Sequence, residues 1–314
     1  MTLKELNTII NKFIKKLESD RKSSHTISSY SYTLKEMSKH IEKNNPHEFD
    51  IKYSIMNYVD DMDSDYAEKT INSKRAAVRA FISYLKSRDY ITEDFSYAIK
   101  NIKQNHIPPE ILHSDEIEQV LKQLAFELKE AEGYNIYYKA RNLTLFIFLL
   151  YTAARRSEAV QVKFSDIDFI NDEIKVYGKG NKIRIVPLVP ELKQQLYNFR
   201  DIIEKMHTAG YNVKSEYLFR SEKKDKKTKN KDNPMTPRNV LKIVKESCQK
   251  AGIEKNITAH SLRHTFASFG LQNGMNLKAL SEILGHSMTS TTVNIYAHVI
   301  SMDVKKKEME KIRY

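Results

Sequence analysis

Residues 258–299 read TAHSLRHTFASFGLQNGMNLKALSEILGHSMTSTTVNIYAHV. The spacing of apolar residues predicts short helices here. The stretch also carries basic and proton-transferring side chains that core packing does not require: His260, Arg263, His264, His286 and Tyr296. His260 lies nearly one helical turn before Arg263, so their side chains share a helix face. The stretch therefore predicts a helical scaffold for a polar site.

Two upstream segments carry groups of the same kind. One is Thr152-Ala153-Ala154-Arg155-Arg156-Ser157-Glu158, which follows an apolar core helix and opens a predicted short helix over 155–161. The other is a predicted β-hairpin, because β-branched residues at 173–177 and 183–187 flank Gly178-Lys179-Gly180-Asn181. The predicted fold is mainly α with a small β-hairpin or sheet (α+β).

Together these segments hold the groups that can break a phosphodiester without water or a metal. An arginine fork binds two phosphate oxygens at once, and Arg155 and Arg263 are the candidates. His260 and His286 can donate a hydrogen bond or move a proton near neutral pH. The site is therefore predicted to bind a phosphodiester and stabilise its negative charge.

Tyr296 would supply the attacking phenolic oxygen, and Lys179 at the hairpin tip would protonate the departing hydroxyl. A phenol with a pKa near 10 needs help from the pocket to lose its proton. Each residue has a structural alternative, since Tyr296 is one of 18 tyrosines, most of them expected in the core, and Gly-Lys-Gly is more often a turn. The order and spacing of the whole set favour the site.

The first hundred residues predict four helices. On the fourth, Arg75, Arg79 and Lys86 form a basic ridge at spacings of four and seven, which suits a DNA phosphate backbone or, equally, a solvated outer face. Pro108-Pro109 cannot continue a helix. We therefore expect a helical DNA-binding domain at 1–100, a linker at 101–111 and a catalytic domain at 112–314.

The composition favours a nucleic-acid partner. The formal net charge is +12, and most of the excess lies after residue 110. The only cysteine, Cys248, excludes an internal disulfide framework and is expected to be a buried apolar residue. The longest apolar run is too short to span a membrane, and no signal peptide opens the chain. We therefore expect a cytoplasmic protein without a membrane partner.

These motifs resemble those of the tyrosine recombinase, or phage integrase, family. The resemblance lies in His260-x-x-Arg263-His264, Leu284-Gly285-His286-Ser287, Thr291-Thr292, Tyr296-Ala297-His298, and Gly178-Lys179-Gly180-Asn181-Lys182 followed by Arg184 and Val186-Pro187-Leu188. It spans about 114–299, and the helical first domain resembles the family's SAM-like core-binding domain. The family usually has Thr-Gly-Leu-Arg, then an apolar residue, Ser and Glu. Spacing to Glu158 selects Arg155 as the first arginine, but Arg156 stays an alternative.

The resemblance implies residue roles. Arg155, Lys179, His260, Arg263 and His286 would surround the scissile phosphate. Tyr296 would form a 3′-phosphotyrosyl bond and free a 5′-hydroxyl. Glu158 would brace the first arginine, and His264 would support the pocket.

The resemblance also implies how the protein acts. Two domains would clamp double-stranded DNA at a specific recombination site, and a homo-tetramer would exchange strands through a Holliday junction. A tail helix at 304–313 would dock on a neighbouring protomer. No metal or cofactor is implied. The chain starts with the core-binding helices, so no arm-binding domain is expected.

We expect integration and excision of a mobile element rather than resolution of replicon dimers, with accessory or directionality factors as further candidate partners. Two other functions stay open: a non-catalytic DNA-binding regulator on the same fold, and a type IB topoisomerase. Substitution of Tyr296 by phenylalanine separates the regulator from the recombinase, because only the recombinase loses strand cleavage.

Overall fold

The computed structural model describes residues 1–44, 49–62, 66–103, 109–178, 182–221, 232–286, 288–293, 296 and 309. The chain divides into two compact units, Met1–Ile107 and Pro108–Tyr314. Each unit has an apolar core of its own. The domain boundaries expected from the sequence stay a prediction.

The first unit is helical, as the apolar spacing predicts. Its helices are α1 (Leu3–Ser19), α2 (Ser24–Asn44), α3 (Ile51–Asp61) and α4 (Glu68–Ser87), followed by a single 3-10 turn at Ser96–Ala98. α2 packs against the other three helices. In the core, the Phe13 ring of α1 contacts the rings of Phe81 and Tyr84 of α4, with centroids 5.5 Å and 5.1 Å apart.

The second unit is built around one apolar helix. Its helices are α5 (Ser114–Lys129), α6 (Asn135–Thr152), α7 (Arg156–Ala159), α8 (Pro190–Thr208), α9 (Pro237–Lys250), α10 (Ala259–Gln272) and α11 (Leu277–Leu284). Residues 289–293 are also helical. α6 is buried over most of its length and contacts α5, α8, α9 and α10. This central position explains why its sequence is apolar nearly all round.

The sheet is small and antiparallel, with the strand order β1 (Ile167–Asp168), β2 (Glu173–Tyr177), β3 (Ile183–Pro187). β2 and β3 form the predicted hairpin, in which Val176 pairs with Arg184. Gly178 N donates to Lys182 O at 2.7 Å and extends the pairing toward the turn. β1 was not predicted, because two residues are too short to show an alternating pattern. The predicted α+β class is confirmed.

Two helix starts differ from the sequence-based expectation. Serine favours the N-cap position and the acids Asp115 and Glu116 favour a first turn, so the sequence predicts Ser114 as the N-cap of α5, but Ser114 is the first helical residue and His113 is the N-cap. Glu116 of the first turn accepts a hydrogen bond from His113 N at 2.7 Å, which fixes the start one residue earlier. α7 covers only Arg156–Ala159 rather than 155–161. Arg155 is its N-cap, and Glu158 accepts from Arg155 N at 2.9 Å.

Two further expectations concern the interior and membranes. Cys248 is 1% exposed, and burial raises the pKa of its thiol to about 12, so it packs as a small apolar residue, as predicted. None of the helices in the described ranges combines the length and the apolar character that crossing a bilayer requires.

Candidate active site

The Glu158 carboxylate lies between two arginines. Its Oε1 accepts from Arg155 Nη1 at 2.7 Å, and its Oε2 accepts from Arg184 Nη2 at 2.8 Å. Glu158 is 4% exposed, and burial alone would raise its pKa, but the bonds from Arg184 and Arg155 lower it. The short helix α7 thus places Arg155 at the site, while the side chain of Arg156 is exposed.

Arg263 of α10 is buried, 2% exposed, and its fork is held by main-chain carbonyls. Nη1 donates to Ala153 O at 2.9 Å, and Nη2 donates to Leu284 O. Ala153 ends α6 with φ 50°, a left-handed conformation that glycine adopts without strain. The motif that this segment resembles has glycine at this position, and here alanine adopts the left-handed conformation. This conformation aims the Ala153 carbonyl at the Arg263 guanidinium.

His286 follows the left-handed C-cap of α11, Gly285. Its Nε2 lies 3.0 Å from Arg263 Nη2, and its Nδ1 lies 2.8 Å from the hydroxyl of the fully buried Thr292. Burial lowers the pKa of His286 to about 4, and the positive charges of Arg263, Arg155 and other nearby groups act in the same direction. The imidazole is therefore neutral at pH 7, and Nε2 accepts from Arg263.

Tyr296 lies inside the site, 2% exposed. Its hydroxyl is 2.8 Å from Nδ1 of His264, whose ring meets the exposed His260 ring edge-on at 4.5 Å between centroids. Burial raises the pKa of Tyr296 to about 12, and Arg263 opposes the rise. The phenol is therefore protonated at neutral pH. It packs in a small apolar cluster with Ala153, Ala267, Leu280 and Leu284.

The site carries an excess of positive charge. Burial lowers the pKa of Arg263 to about 10, and the neighbouring charges of Arg155 and Arg184 add to the effect, while Glu158 opposes it. Among the described residues named here, the site holds three guanidiniums, those of Arg155, Arg184 and Arg263, but only one carboxylate, that of Glu158. A phosphodiester, with one negative charge, complements such a site.

Comparison with known proteins assigns the family. A family model described as "Phage integrase family" matches residues 111–302, and one described as "Phage integrase, N-terminal SAM-like domain" matches residues 10–89. The chain belongs to the phage integrase family. It is a tyrosine recombinase, and both the family and the enzyme class inferred from the motifs are confirmed.

Relatives of this tyrosine recombinase match over most of its length. Tyrosine recombinase XerD of Staphylococcus haemolyticus is 28% identical over 305 residues, covering 96% of this chain and 97% of the relative. A crystal structure of XerH site-specific recombinase bound to difH substrate in a pre-cleavage complex is 26% identical, with a TM-score of 0.66, and covers 87% of this chain and 76% of that one. The Tn1549 transposon integrase in complex with transposon right end DNA is 20% identical, with a TM-score of 0.68, and covers 99% of each chain. The similarity to the Tn1549 transposon integrase shows a shared fold.

The structure brings most of the predicted residues of the tyrosine recombinase together. Arg155 contacts Glu158, Arg263 contacts His286, and Tyr296 contacts His264, beside which His260 lies. The three pairs are close enough for Arg155 and Glu158 to shift the pKa of Arg263, and for Arg263 to shift that of Tyr296. Lys179 lies outside the described residues, as do Ser287, Ala297, His298 and nearly all of the predicted tail helix. The hairpin leads to the site nevertheless, because a Cβ at Gly178 would lie 3.7 Å from Glu158 Oε1.

The basic ridge of α4 is hydrogen-bonded to main-chain carbonyls rather than facing only solvent. Arg75 Nη1 donates to Lys100 O, Arg79 Nη1 donates to Ile99 O at 2.8 Å, and Lys86 Nζ donates to Thr92 O at 3.0 Å. Asn72 of the same helix exchanges two hydrogen bonds with the main chain of Ile102, both 2.8 Å. The polar face of α4 therefore holds the segment 92–102. A contact of this ridge with DNA stays a prediction.

Two residues of the site had no predicted role. Arg184 and Thr292 both lie in segments that carry the family resemblance, but neither matches a residue with an assigned role in the chemistry. Arg184 binds Glu158, which lies 26 residues earlier in the chain, and Thr292 binds His286, six residues earlier. Sequence spacing does not reveal such pairs, since they meet only after β3 and the segment after α11 have folded onto the site. Among the described residues, no cluster of three or more His, Cys, Asp or Glu side chains offers a metal site.

Proposed function

We propose that this tyrosine recombinase cleaves and rejoins DNA at specific sites through a covalent 3′-phosphotyrosyl bond to Tyr296. The observation that carries the proposal is the convergence of Arg155, Arg263 and His286 beside Tyr296. The elements that supply them are α7, α10, the turn after α11 and the helical segment after residue 288. Core packing gives no reason for so many cationic and proton-transferring groups to meet at one site.

In the proposed ground state, phosphate oxygens replace some of the internal hydrogen bonds of the site. Arg155 and Arg263 bind the non-bridging oxygens, since each can present two N–H groups to a phosphate. His260 donates a further hydrogen bond. His286 donates one after the phosphate has taken the N–H group of Arg263 that Nε2 otherwise accepts, with the imidazole proton then on Nε2 and the Thr292 hydroxyl donating to Nδ1. Arg155 is assigned as the first arginine because Glu158 braces it, whereas Arg156 is exposed.

In the proposed chemical step, the phenolic oxygen of Tyr296 attacks phosphorus and the bond from phosphorus to the 5′-oxygen breaks. The 5′-oxygen leaves as a hydroxyl after taking a proton, for which Lys179 is the proposed donor. The phenolic proton has to leave as the new bond forms, because the pKa of Tyr296 is raised to about 12. His264 Nδ1, 2.8 Å from the phenolic oxygen, is positioned to receive it. Attack by another 5′-hydroxyl reverses the step and rejoins a strand.

Access to the phenol belongs to the proposal. Tyr296 is 2% exposed, and an enclosed oxygen cannot contact a DNA backbone. We propose that binding of the DNA site draws the phenolic oxygen of Tyr296 out of its apolar cluster to the phosphate, while the hydrogen bond to His264 Nδ1 is kept until the proton is transferred. The same event would free the Arg263 fork from its main-chain carbonyls.

The test uses a nicked duplex. The binding site is first identified by footprinting the protein on genomic DNA of the organism that encodes it, and a duplex with that site and a nick beside the cleavage position is then prepared. After cleavage, the short fragment that carries the freed 5′-hydroxyl diffuses away, because the nick separates it from the rest of its strand. The strand cannot then be rejoined, so the covalent complex is trapped and survives denaturation. Wild type is expected to form this complex, and Tyr296→Phe is expected to bind the duplex with similar affinity and form none.

Each result separates the functions considered. A wild-type chain that binds the duplex but yields no adduct contradicts the proposal and favours a DNA-binding regulator. Relaxation of supercoiled DNA without a specific site would favour a topoisomerase. An adduct that persists in Tyr296→Phe would assign the nucleophile to another residue.

The finer biological role concerns paired sites. We propose that a homo-tetramer joins two sites and exchanges strands through a four-way junction, with the helical first unit and the catalytic second unit both contacting DNA. Integration and excision of a mobile element was expected from the sequence, whereas the XerD relatives, which span nearly the whole chain, favour an Xer-type role. Sites that flank a transferable element would support the first role, and a single site in a replicon would support the second.

A further inference from the structure

Arg184 of β3 is buried inside the site, although the proposed chemistry gives it no role. Its side chain is 10% exposed, and Nη2 donates to Glu158 Oε2 at 2.8 Å. Its Nε is buried and has no hydrogen-bond partner. A buried guanidinium with an unsatisfied donor costs free energy, so its presence calls for an explanation beyond packing.

The carboxylate that Arg184 binds is shared. Glu158 accepts from Arg155 on one oxygen, at 2.7 Å, and from Arg184 on the other. A purely structural ion pair would balance one cation with one anion, but here two guanidiniums use one carboxylate. Arg184 thus fixes the carboxylate from the buried side, and Arg155, whose side chain is 40% exposed, is held on the accessible side.

Arg184 also contacts the turn that carries His286. A Cβ on Gly285 would lie 3.2 Å from Cδ and 3.3 Å from Nη1 of Arg184, so any other residue there would push this side chain by a few tenths of an ångström. A Cβ on Gly178, at the end of the hairpin, would lie 3.9 Å from Nη1. The same guanidinium therefore binds Glu158 of α7 and lies close to two further parts of the site, the turn after α11 and the end of the hairpin that leads to Lys179.

We propose that Arg184 is a positioning residue for strand cleavage: it holds Glu158, and through it Arg155, in register with the turn that carries His286. The inference rests on the proposed function, because it concerns the geometry of the phosphate site. Arg184 acts through other residues rather than on the phosphate, since Arg155 binds the same carboxylate and is the more exposed of the two arginines. Misplacing a phosphate clamp by about 1 Å lowers a reaction rate by about 100-fold.

The experiment measures two quantities on the nicked duplex described above: the dissociation constant, by fluorescence anisotropy, and the rate of covalent complex formation at saturating DNA. The variants are Arg184→Met, which keeps an unbranched apolar stem, Arg184→Lys, which keeps the charge and one donor, Glu158→Gln, and the double variant Arg184→Met with Glu158→Gln. Arg200→Met is the matched control. Arg200 is an exposed arginine of the same unit, whose guanidinium lies over the rings of Phe169 and Tyr197 at 5.2 Å and 5.1 Å.

We expect Arg184→Met to lower the saturated rate by about 100-fold while the dissociation constant stays near that of wild type. Arg184→Lys recovers part of the rate, and Arg200→Met is unchanged. The double variant is no slower than the slower single variant, because both substitutions remove the same support of Arg155.

Three results would overturn the inference: a wild-type rate in Arg184→Met, a loss confined to the dissociation constant, or additive losses in the double variant. Thermal melting checks that each variant is folded. If Arg184→Met is unfolded, Arg184→Lys decides, and a wild-type rate in that variant overturns the proposal. Absence of an adduct from the wild-type chain would instead overturn the proposed function, and this inference with it.

Discussion

Loss of contact with water shifts the pKa values of the buried Tyr296 and the half-buried His286 in opposite directions. The pKa of the phenol rises to about 12, whereas that of the imidazole falls to about 4. Both shifts favour the neutral form, as burial in a low dielectric requires. The positive charge of the site at pH 7 therefore resides on arginines, which keep it at any working pH.

The titration of His286 predicts acid sensitivity. Between its ordinary pKa and about 4, the unfolded chain binds a proton that the folded chain does not, so the free energy of unfolding falls as the pH drops through this window. We expect His286→Asn to lose less stability than wild type between pH 7 and pH 5, measured as the shift in melting temperature. His207→Asn, on the exposed end of α8, serves as the control and should keep the wild-type shift. An equal shift in His286→Asn would contradict the prediction.

A comparison of two glycines tests the close contact of Arg184. Gly285 and Gly274 both have left-handed backbones, with φ 64° and 79°, so alanine costs about 1 kcal/mol of strain at either position. Only Gly285 faces a neighbour, since nothing lies within 4 Å of a Cβ at Gly274. We expect Gly285→Ala to lower both the free energy of unfolding and the cleavage rate by more than Gly274→Ala does. The measurements are denaturant unfolding and cleavage of the nicked duplex. If the two variants show equal effects in both, Arg184 moves aside for the added Cβ without cost and the prediction is wrong.

At the scale of elements, short pieces of structure are fixed by side chains from elsewhere. α7 has four residues, too few to be stable alone, and Glu158 anchors it by accepting from Arg155 N and from Arg184 of β3. The helix therefore ends earlier than its sequence pattern indicates. Long helices depend less on such contacts, which is why apolar spacing predicts the four helices α1 to α4 of the first unit.

The polar face of α4 yields a prediction about the segment 92–102. Arg79→Met removes the bond from Nη1 to Ile99 O, and we expect this segment to be cut faster by a protease under native conditions. Arg88→Met, at the exposed C-cap of α4, is the matched control for lost charge and should be cut at the wild-type rate.

The same two variants test the predicted DNA contact of the ridge. Loss of one phosphate contact reduces the slope of log K against log salt by about 0.9. A reduced slope in Arg79→Met, but not in Arg88→Met, would support a direct contact with DNA. An unchanged slope together with faster proteolysis would restrict the role of Arg79 to holding the segment 92–102. Wild-type proteolysis of Arg79→Met would contradict the role in holding the segment.

At the scale of the whole molecule, all the described groups of the candidate site lie in the second unit. Each unit has its own core, so each is expected to fold alone. We expect residues 109–314 to form the covalent adduct with the nicked duplex, but with weaker affinity than the full chain, and residues 1–103 to form none. Circular dichroism melting verifies folding of both pieces. A folded piece 109–314 that forms no adduct at saturating DNA would show that the first unit completes the site.

The sequence by itself determined the helical architecture, the hairpin and the identity of the polar groups, because periodicity, β-branching and turn residues act over short distances along the chain. It also determined the family, since the order of motifs from Arg155 to Tyr296 is local information. Which groups meet became evident only from the folded chain: Arg184 with Glu158, Thr292 with His286, His264 with Tyr296, and the α4 ridge with the main chain of segment 92–102. These pairings depend on how distant segments pack, and burial in that packing is also what sets the protonation of the site.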